Sequence, residues 1–418
     1  MGAFSIFSDK KRRRTAGEPP ETEQNYYELL GRRLNRLKYL LLFALIIFVA
    51  GGFTFYSDLL NIDNFRYMLK FLSIDMDTEI VAGDTIEFDP APGTRALIVN
   101  GDLVIADSNG IQIFDMSGER FLRERDFMND AMCAVSGNNL LVCDRGTQTL
   151  SAYTVYARIY TYTAEYPIYG LCSAKTGGRY ALLTAANGYR SGIEVYDGEF
   201  RMLFRYYFAD RYISCIAISP DGNRAAACTV NNTAAGDYCG ELYAFDPEND
   251  ESLFVIKLEE EIPWQVEYRQ NGDILLLTNR TLRLIGTDGT EKARVSHAGE
   301  TVKGCCLTDG ICSLAYDTAG LSNGTTVKFF DPSLNPLGGV SYRSDVSRTD
   351  IAGGKAYICT GGSLHVFDIA AGEEIAEEDA GTDYICMLED APKDRLIMIF
   401  RGKAVFRDSG ANAGKPDE

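Results

Sequence analysis

ISCIAISPDGNRAAACTVNNTAAGDYCGELYAFDPENDESLFVIKLEE, residues 213–260, contains one complete structural unit. Four apolar runs, ISCIAIS, RAAACTV, ELYAFD and SLFVIKLEE, are separated by the turn formers SPDGN and PENDE and by the longer polar stretch NNTAAGDYCG. Runs of this length, rich in β-branched and aromatic residues and bounded by Gly, Pro, Asn and Asp, read as strands. Four short strands in series are one blade of a β-propeller.

The third strand of this unit ends in Asp246, and the same phrase returns along the chain. It appears as IQIFD ending at Asp115, IEVYD at Asp197, LIGTD at Asp288, VKFFD at Asp331 and LHVFD at Asp368. Successive intervals are 82, 49, 42, 43 and 37 residues, so the first gap holds two periods. A repeat near 40 residues is the propeller period. The unit order recurs over 95–130, 131–166, 167–212, 263–300, 301–346 and 347–380. Residues 381–408 supply three strands only, and DTIEFD at 84–89 is an orphan strand that can complete that last blade. Sharing a blade between the two ends removes free sheet edges. The expected fold is therefore all-β, an eight-bladed propeller over 78–408. Seven blades would be the count if the divergent stretch 131–166 were not a unit. The recurrent Asp reads as turn chemistry, because an Asp at a strand end bonds its own backbone two residues on.

The chain has 418 residues and a net charge of −18. Residues 1–38 hold nine Lys or Arg against five acids, hence +4, which leaves −22 for the remainder. An acidic body of this kind repels phosphate, so no nucleic-acid partner is expected. Residues 39–57 carry no charge, and YLLLFALIIFVAGGFTFY at 39–56 is long enough as a helix, about 27 Å, for a hydrocarbon core. Basic residues precede it and Asp58 and Asp63 follow. The positive-inside rule then predicts a cytoplasmic, partly disordered arm (1–38), a single transmembrane signal-anchor helix (39–57) and an extracytoplasmic remainder. NIDNFRYMLKFLS predicts a short juxtamembrane helix within 58–77, and 409–418 reads as a loose tail.

Eleven cysteines all follow residue 130. Cys133, Cys172, Cys215, Cys305 or Cys306, and Cys386 fall in corresponding first strands; Cys143, Cys228, Cys312 and Cys359 fall in second strands. That placement predicts small apolar packing residues rather than disulfides or metal ligands. The two histidines, His297 and His365, have no ligand or acid–base spacing, and His365 reads as a satisfied strand residue. No signature of a nucleotide site, hydrolase or metalloprotease is present. The expectation is no catalytic residue, no metal and no cofactor.

Specificity should lie where the first strands begin and where strands two and three connect, at one end of the central channel. Three of those connections read as long loops: 185–192, 231–240 and 317–324. The strand starts carry Tyr169, Tyr212, Trp264 and Tyr384, with Arg190, Arg211 and Arg280 in the same set. These seven residues are the candidate binding surface; the alternative is that the aromatics pack between blades.

The basic start, the span at 39–56, the NIDNFRYMLKFLS helix and the strand-ending aspartates resemble a family of single-pass membrane proteins of Firmicutes known only as a domain of unknown function. The repeats are also similar to quinoprotein-like and WD-like propellers, although regular Trp-Asp pairs and repeated Gly-plus-Trp docking motifs are missing. The resemblance implies placement and fold, and no activity. The expected role is a non-enzymatic, membrane-anchored propeller that binds a cell-envelope protein or wall glycan. A propeller lyase or hydrolase acting on polysaccharide is the second reading, and a transmembrane sensor the third.

Overall fold

The computed structural model describes residues 30, 34–45, 84–232, 238–249, 251–318, 324–380, 383–390 and 395–408. The chain divides into two compact units, Met1–Ile74 and Asp75–Glu418. In the first, residues 34–45 form a helix whose side chains are exposed, Tyr39, Leu40, Leu41, Leu42, Phe43 and Leu45 among them. Among the described residues no helix is long and apolar enough to cross a membrane. Most of the expected span (46–57), the expected juxtamembrane helix and the tail at 409–418 lie outside the described residues.

The second unit contains 32 described strands, β1 to β32, in eight four-stranded antiparallel sheets. Seven sheets take consecutive strands. Their first strands are β2 (Arg95–Val99), β6 (Ala131–Ser136), β10 (Ile168–Ser173), β14 (Tyr212–Ile218), β18 (Pro263–Tyr268), β22 (Val302–Cys306) and β26 (Val346–Ala352). The eighth sheet runs β30 (Tyr384–Asp390), β31 (Arg395–Phe400), β32 (Lys403–Asp408) and then β1 (Thr85–Glu87). Ile86 pairs with Ala404, so the orphan strand closes the ring as expected. The divergent 131–166 stretch is a full blade, which settles the count at eight.

Alternation along the inner strands explains the ring. Leu103 and Ile105 face the seam between the eighth and first blades, while Val104 and Ala106 face the seam between the first and second. Successive strand residues point to opposite faces. Each blade is covered on both faces, so its middle strands are continuous apolar runs, as in buried sheets generally. Eight apolar clusters fill the eight seams.

The strand-ending aspartates make the turn to the fourth strand. Asp197 Oδ1 accepts from the backbone N–H of Glu199 and of Arg201, both at 2.9 Å. Asp331 Oδ1 accepts from Ser333 and Asn335, both at 2.8 Å. Asp115, Asp246, Asp288 and Asp368 take the same bond from the residue two positions on. In the second blade Thr154 occupies this place and accepts more weakly, from Tyr156 at 3.4 Å and Ala157 at 3.3 Å. That replacement is why the phrase skips a period in sequence.

All eleven cysteines are unpaired. Five are buried and six half-buried, in the first, second and (for Cys239) third strands of their blades.

Candidate functional site

Antiparallel pairing puts the start of each first strand beside the end of the second, so strand starts and the connections between strands two and three share one end of the ring. Pro263 pairs with Thr278, Val346 with Thr360 and Tyr384 with Phe400. Six of the eight first strands carry a bulge at that end. The bulged residues are Tyr169, Ser214, Trp264, Lys303, Ser347 and Ile385. A bulge kinks the strand and re-aims a side chain. The bulges on successive blades therefore set out a ring of unlike side chains at the channel mouth.

Tyr169 and Trp264 are 44% and 45% exposed. Tyr212, one residue before Ile213 on the neighbouring blade, is 57% exposed. Arg190 Nη1 donates to the Tyr212 hydroxyl at 2.9 Å, and its guanidinium lies 5.5 Å from that ring's centroid. Arg280 is exposed and pairs with Glu260 at 2.8 Å. Arg211 is different. It is bound to Asp210, Glu241 and the Tyr243 hydroxyl, so its charge is committed within the blade. Tyr384 is only 9% exposed and donates to Asp350 Oδ2 at 2.7 Å. It braces the seventh blade against the eighth and leaves the surface set. The exposed candidates thus fall on the third, fourth and fifth blades.

The connections are tighter than their composition suggests. Within 185–192, Ala186 pairs with Tyr189 across Asn187 and Gly188. Gly188 has φ +81°, the left-handed conformation that such a two-residue turn demands. Asn231 and Asn232 pair with Cys239 and Tyr238, and Asp317 with Thr325, so strand also invades the other two stretches. Residues 233–237 and 319–323 lie outside the described residues.

Sequence reading missed the cationic side of the mouth. Asp130 accepts from Arg145 Nε at 2.6 Å and from Arg95 Nη2 at 3.2 Å. The Arg145 hydrogen bond, with Arg95 assisting, holds the Asp130 carboxyl below its ordinary range. Arg145 also donates to the Tyr169 carbonyl. Arg95, Arg145, Tyr169, Ser214, Cys133 and Cys215 help line a cavity of about 240 Å³ against the inner strands of the first four blades. Lys303 pairs with Asp317 and Asp345. Aligning the first strands on Tyr169 and Trp264 would have found Ser214 and Lys303.

Deeper along the inner strands, Glu267 keeps solvent access, but the surrounding protein strips its hydration and pushes its carboxyl above the ordinary range. At the strand-exit end Lys175 of the third blade meets Asp309 of the sixth at 2.8 Å. Two blades separate them, so the bridge crosses the channel. His297 and His365 are both buried; His297 Nε2 lies 3.0 Å from the Thr278 carbonyl. Among the described residues, one group brings possible metal ligands together: His365, Glu374 and Glu377, on the outer strands of the seventh blade.

An eight-bladed ring, latched by its N-terminal strand and carrying an exposed aromatic and arginine mouth on three adjacent blades, defines the class: an all-β, eight-bladed propeller. The chain matches a family of unknown function, DUF5711, over residues 78–405, and it belongs to that family. No curated protein matches it in sequence. Solved structures share the fold at low identity. A quinohemoprotein alcohol dehydrogenase from Pseudomonas putida has a TM-score of 0.56 and 10% identity, covering 81% of this chain and 77% of that one. BamB from Moraxella catarrhalis has a TM-score of 0.54 and 12% identity, covering 81% and 99%. Sqt1 from Chaetomium thermophilum, solved bound to the N-terminus of a ribosomal protein, has a TM-score of 0.54 and 12% identity, covering 78% and 100%.

Proposed function

We propose that this protein is a non-enzymatic, membrane-anchored binding module whose propeller lies outside the cytoplasm and holds a cell-envelope protein or wall glycan at its channel mouth. The observation that carries this reading is the row of exposed aromatics, Tyr169, Tyr212 and Trp264, on three adjacent blades, with Arg190 stacked on Tyr212. Large rigid aromatics and Arg dominate binding surfaces because they bury much area at small entropic cost. The salt bridge between Lys175 and Asp309 across the other end of the channel favours the mouth as the approach side. Anchoring rests on the uncharged stretch 39–57, of which 39–45 is helical with its apolar side chains turned outward. A helix apolar all round suits lipid.

Trp264 is the sole tryptophan and reports on the mouth directly. Titrating the full chain with wall fragments or solubilised envelope proteins should change its fluorescence. Trp264→Ala, which lacks the fluorescent reporter and is read by titration calorimetry, should weaken that binding by roughly 30-fold or more, the loss of one hot-spot residue. Binding unchanged in both Trp264→Ala and Tyr212→Ala would refute the assignment of the mouth. Recovery of the protein from cells in an alkali-extractable fraction would refute the anchor.

A further inference from the structure

His365, Glu374 and Glu377 sit on β28 (Ser363–Asp368) and β29 (Glu373–Asp379), the third and fourth strands of the seventh blade. Register places His365 directly opposite Glu377. Their ligating atoms, with that of Glu374, lie within 4.8 Å of one another. His365 is buried, its side chain 11% exposed, while Glu374 and Glu377 are exposed. Its two nitrogens are divided between a fixed partner and the carboxylates. Nε2 lies 3.0 Å from Thr360 Oγ1, and Nδ1 lies 3.1 Å from Glu374 Oε1. The Tyr342 hydroxyl, from the sixth blade, donates to Glu374 Oε2 at 3.3 Å, and its ring packs 4.6 Å from the imidazole.

We propose that these three side chains form a binding site for a divalent transition metal of the zinc class, through His365 Nδ1 and one oxygen each of Glu374 and Glu377. The donor set excludes the hard cations, which take oxygen ligands and keep more of them; an imidazole with two carboxylates suits zinc and its neighbours. A metal-bound histidine donates its other ring N–H to a fixed acceptor, and Thr360 Oγ1 stands where that acceptor must be. Tyr342 steadies Glu374 in the same way. Three protein ligands leave the fourth tetrahedral position open to water or to a donor from a partner. Drawing the donors into bonds of about 2.0–2.2 Å needs rotation of the two exposed glutamates and no movement of the buried imidazole. The site ties the outermost strand of the blade to its neighbour. Sequence spacing hid it, because the carboxylates come from the adjacent strand and the chain's histidines are 68 residues apart.

The two histidines make the test clean despite eleven thiols that also bind zinc. Metal-stripped, reduced full-length chain with isotope-labelled histidine is titrated with Zn²⁺. One equivalent should move the His365 ring resonances and leave those of His297 in place. His365→Asn and Glu377→Gln should each weaken this binding at least tenfold; Glu377 is exposed, so that variant folds. Co²⁺ at the same site should show visible absorption without a thiolate charge-transfer band. Three results would overturn the site: zinc bound with the His365 resonances unmoved, affinity unchanged in Glu377→Gln, or the same resonance shift produced by Ca²⁺.

Discussion

Glu261 and Arg283 anchor the strand start that carries Trp264, and their removal tests how the mouth is supported. Both side chains are more than nine-tenths buried. Glu261 Oε1 takes the Arg283 guanidinium, and Oε2 takes the Thr278 and Thr281 hydroxyls at 2.7 Å each. Burial alone would raise the Glu261 carboxyl; the bonds from Thr278, Thr281 and Arg283 overcome it and hold the group below its ordinary range. Glu261→Leu removes the acceptor shared by two hydroxyls, which keep each other and the Thr281 carbonyl at 3.2 Å, and leaves Arg283 with Thr281 Oγ1 at 3.0 Å and the half-exposed Glu291 at 3.1 Å. Breaking one side of such a buried pair costs about 3–5 kcal/mol. Over a cooperative unit of about 330 residues, with an unfolding entropy near 2.1 cal/mol/K per residue, that is a fall of roughly 4–7 °C in melting temperature. Arg283→Met should cost a similar amount. The double variant should recover most of the loss, since replacing a whole buried pair with apolar residues is often close to neutral. The sign with pH follows from the lowered carboxyl. Its stabilisation is complete above the unfolded glutamate value of about 4.3 and fades as pH falls through the lower folded value. The gap between wild type and Glu261→Leu should therefore be flat from pH 5 to 8 and shrink below about 4. Calorimetry across this range decides the matter. A single-variant loss under about 1 kcal/mol, or a double variant as costly as the sum of the two, would refute the reasoning.

The turn aspartates should behave as caps. Asp197→Ala should lower the urea midpoint by the equivalent of about 1–2 kcal/mol, Asp197→Asn by less, and Thr154→Asp should raise it by about 0.5–1 kcal/mol by restoring the stronger acceptor to the second blade. Burial pushes the thiols of Cys133, Cys143, Cys172 and Cys306 up to about 12. At pH 8 they should label at least a hundredfold more slowly in the native protein than after unfolding, and rapid native labelling of these four would contradict the raised thiols. Ile86, 3% exposed in the closing seam, holds the latch. Ile86→Asp should free the edge of β32 and produce self-association on size-exclusion chromatography; a monomer with unchanged melting would show that the latch is dispensable.

The blade count and the latch were legible because they depend on local rules. Every strand pair except the latch is neighbouring in sequence, each turn announces itself through Asp, Gly or Pro, and the orphan DTIEFD has no partner except the incomplete last blade. The surface was less legible for two physical reasons. Bulges, which decide what Trp264, Ser214 and Lys303 present, have no compositional mark of their own. Exposure at the seams also depends on contacts far apart in sequence: Tyr212 and Tyr384 both begin a first strand, yet one is open and the other is sealed by Asp350, 34 residues earlier. The stretch AANGYRSG looked like a loop because its glycines and asparagine are turn residues, but only two residues are needed for the turn and the rest extends the strands.

Support and specificity occupy different positions within the ring. Positions that repeat carry backbone work: the turn Asp recurs in six of the eight blades, and Thr154 stands in where it lapses. The bulge position does the opposite. It bears Tyr, Ser, Trp, Lys, Ser and Ile on successive blades while the bulge itself persists. Packing cannot require six bulges in one place and then be indifferent to what they hold. Ile385 still packs against the closing seam, but the other five side chains are exposed and fill no seam, so they are free of the volume constraint that keeps the inner strands apolar. Variation there is cheap for the fold, and a ligand surface can be changed without disturbing the blades. This is the physical reason for proposing Tyr169, Trp264 and their flanking arginines, rather than the conspicuous aspartates, as the binding surface.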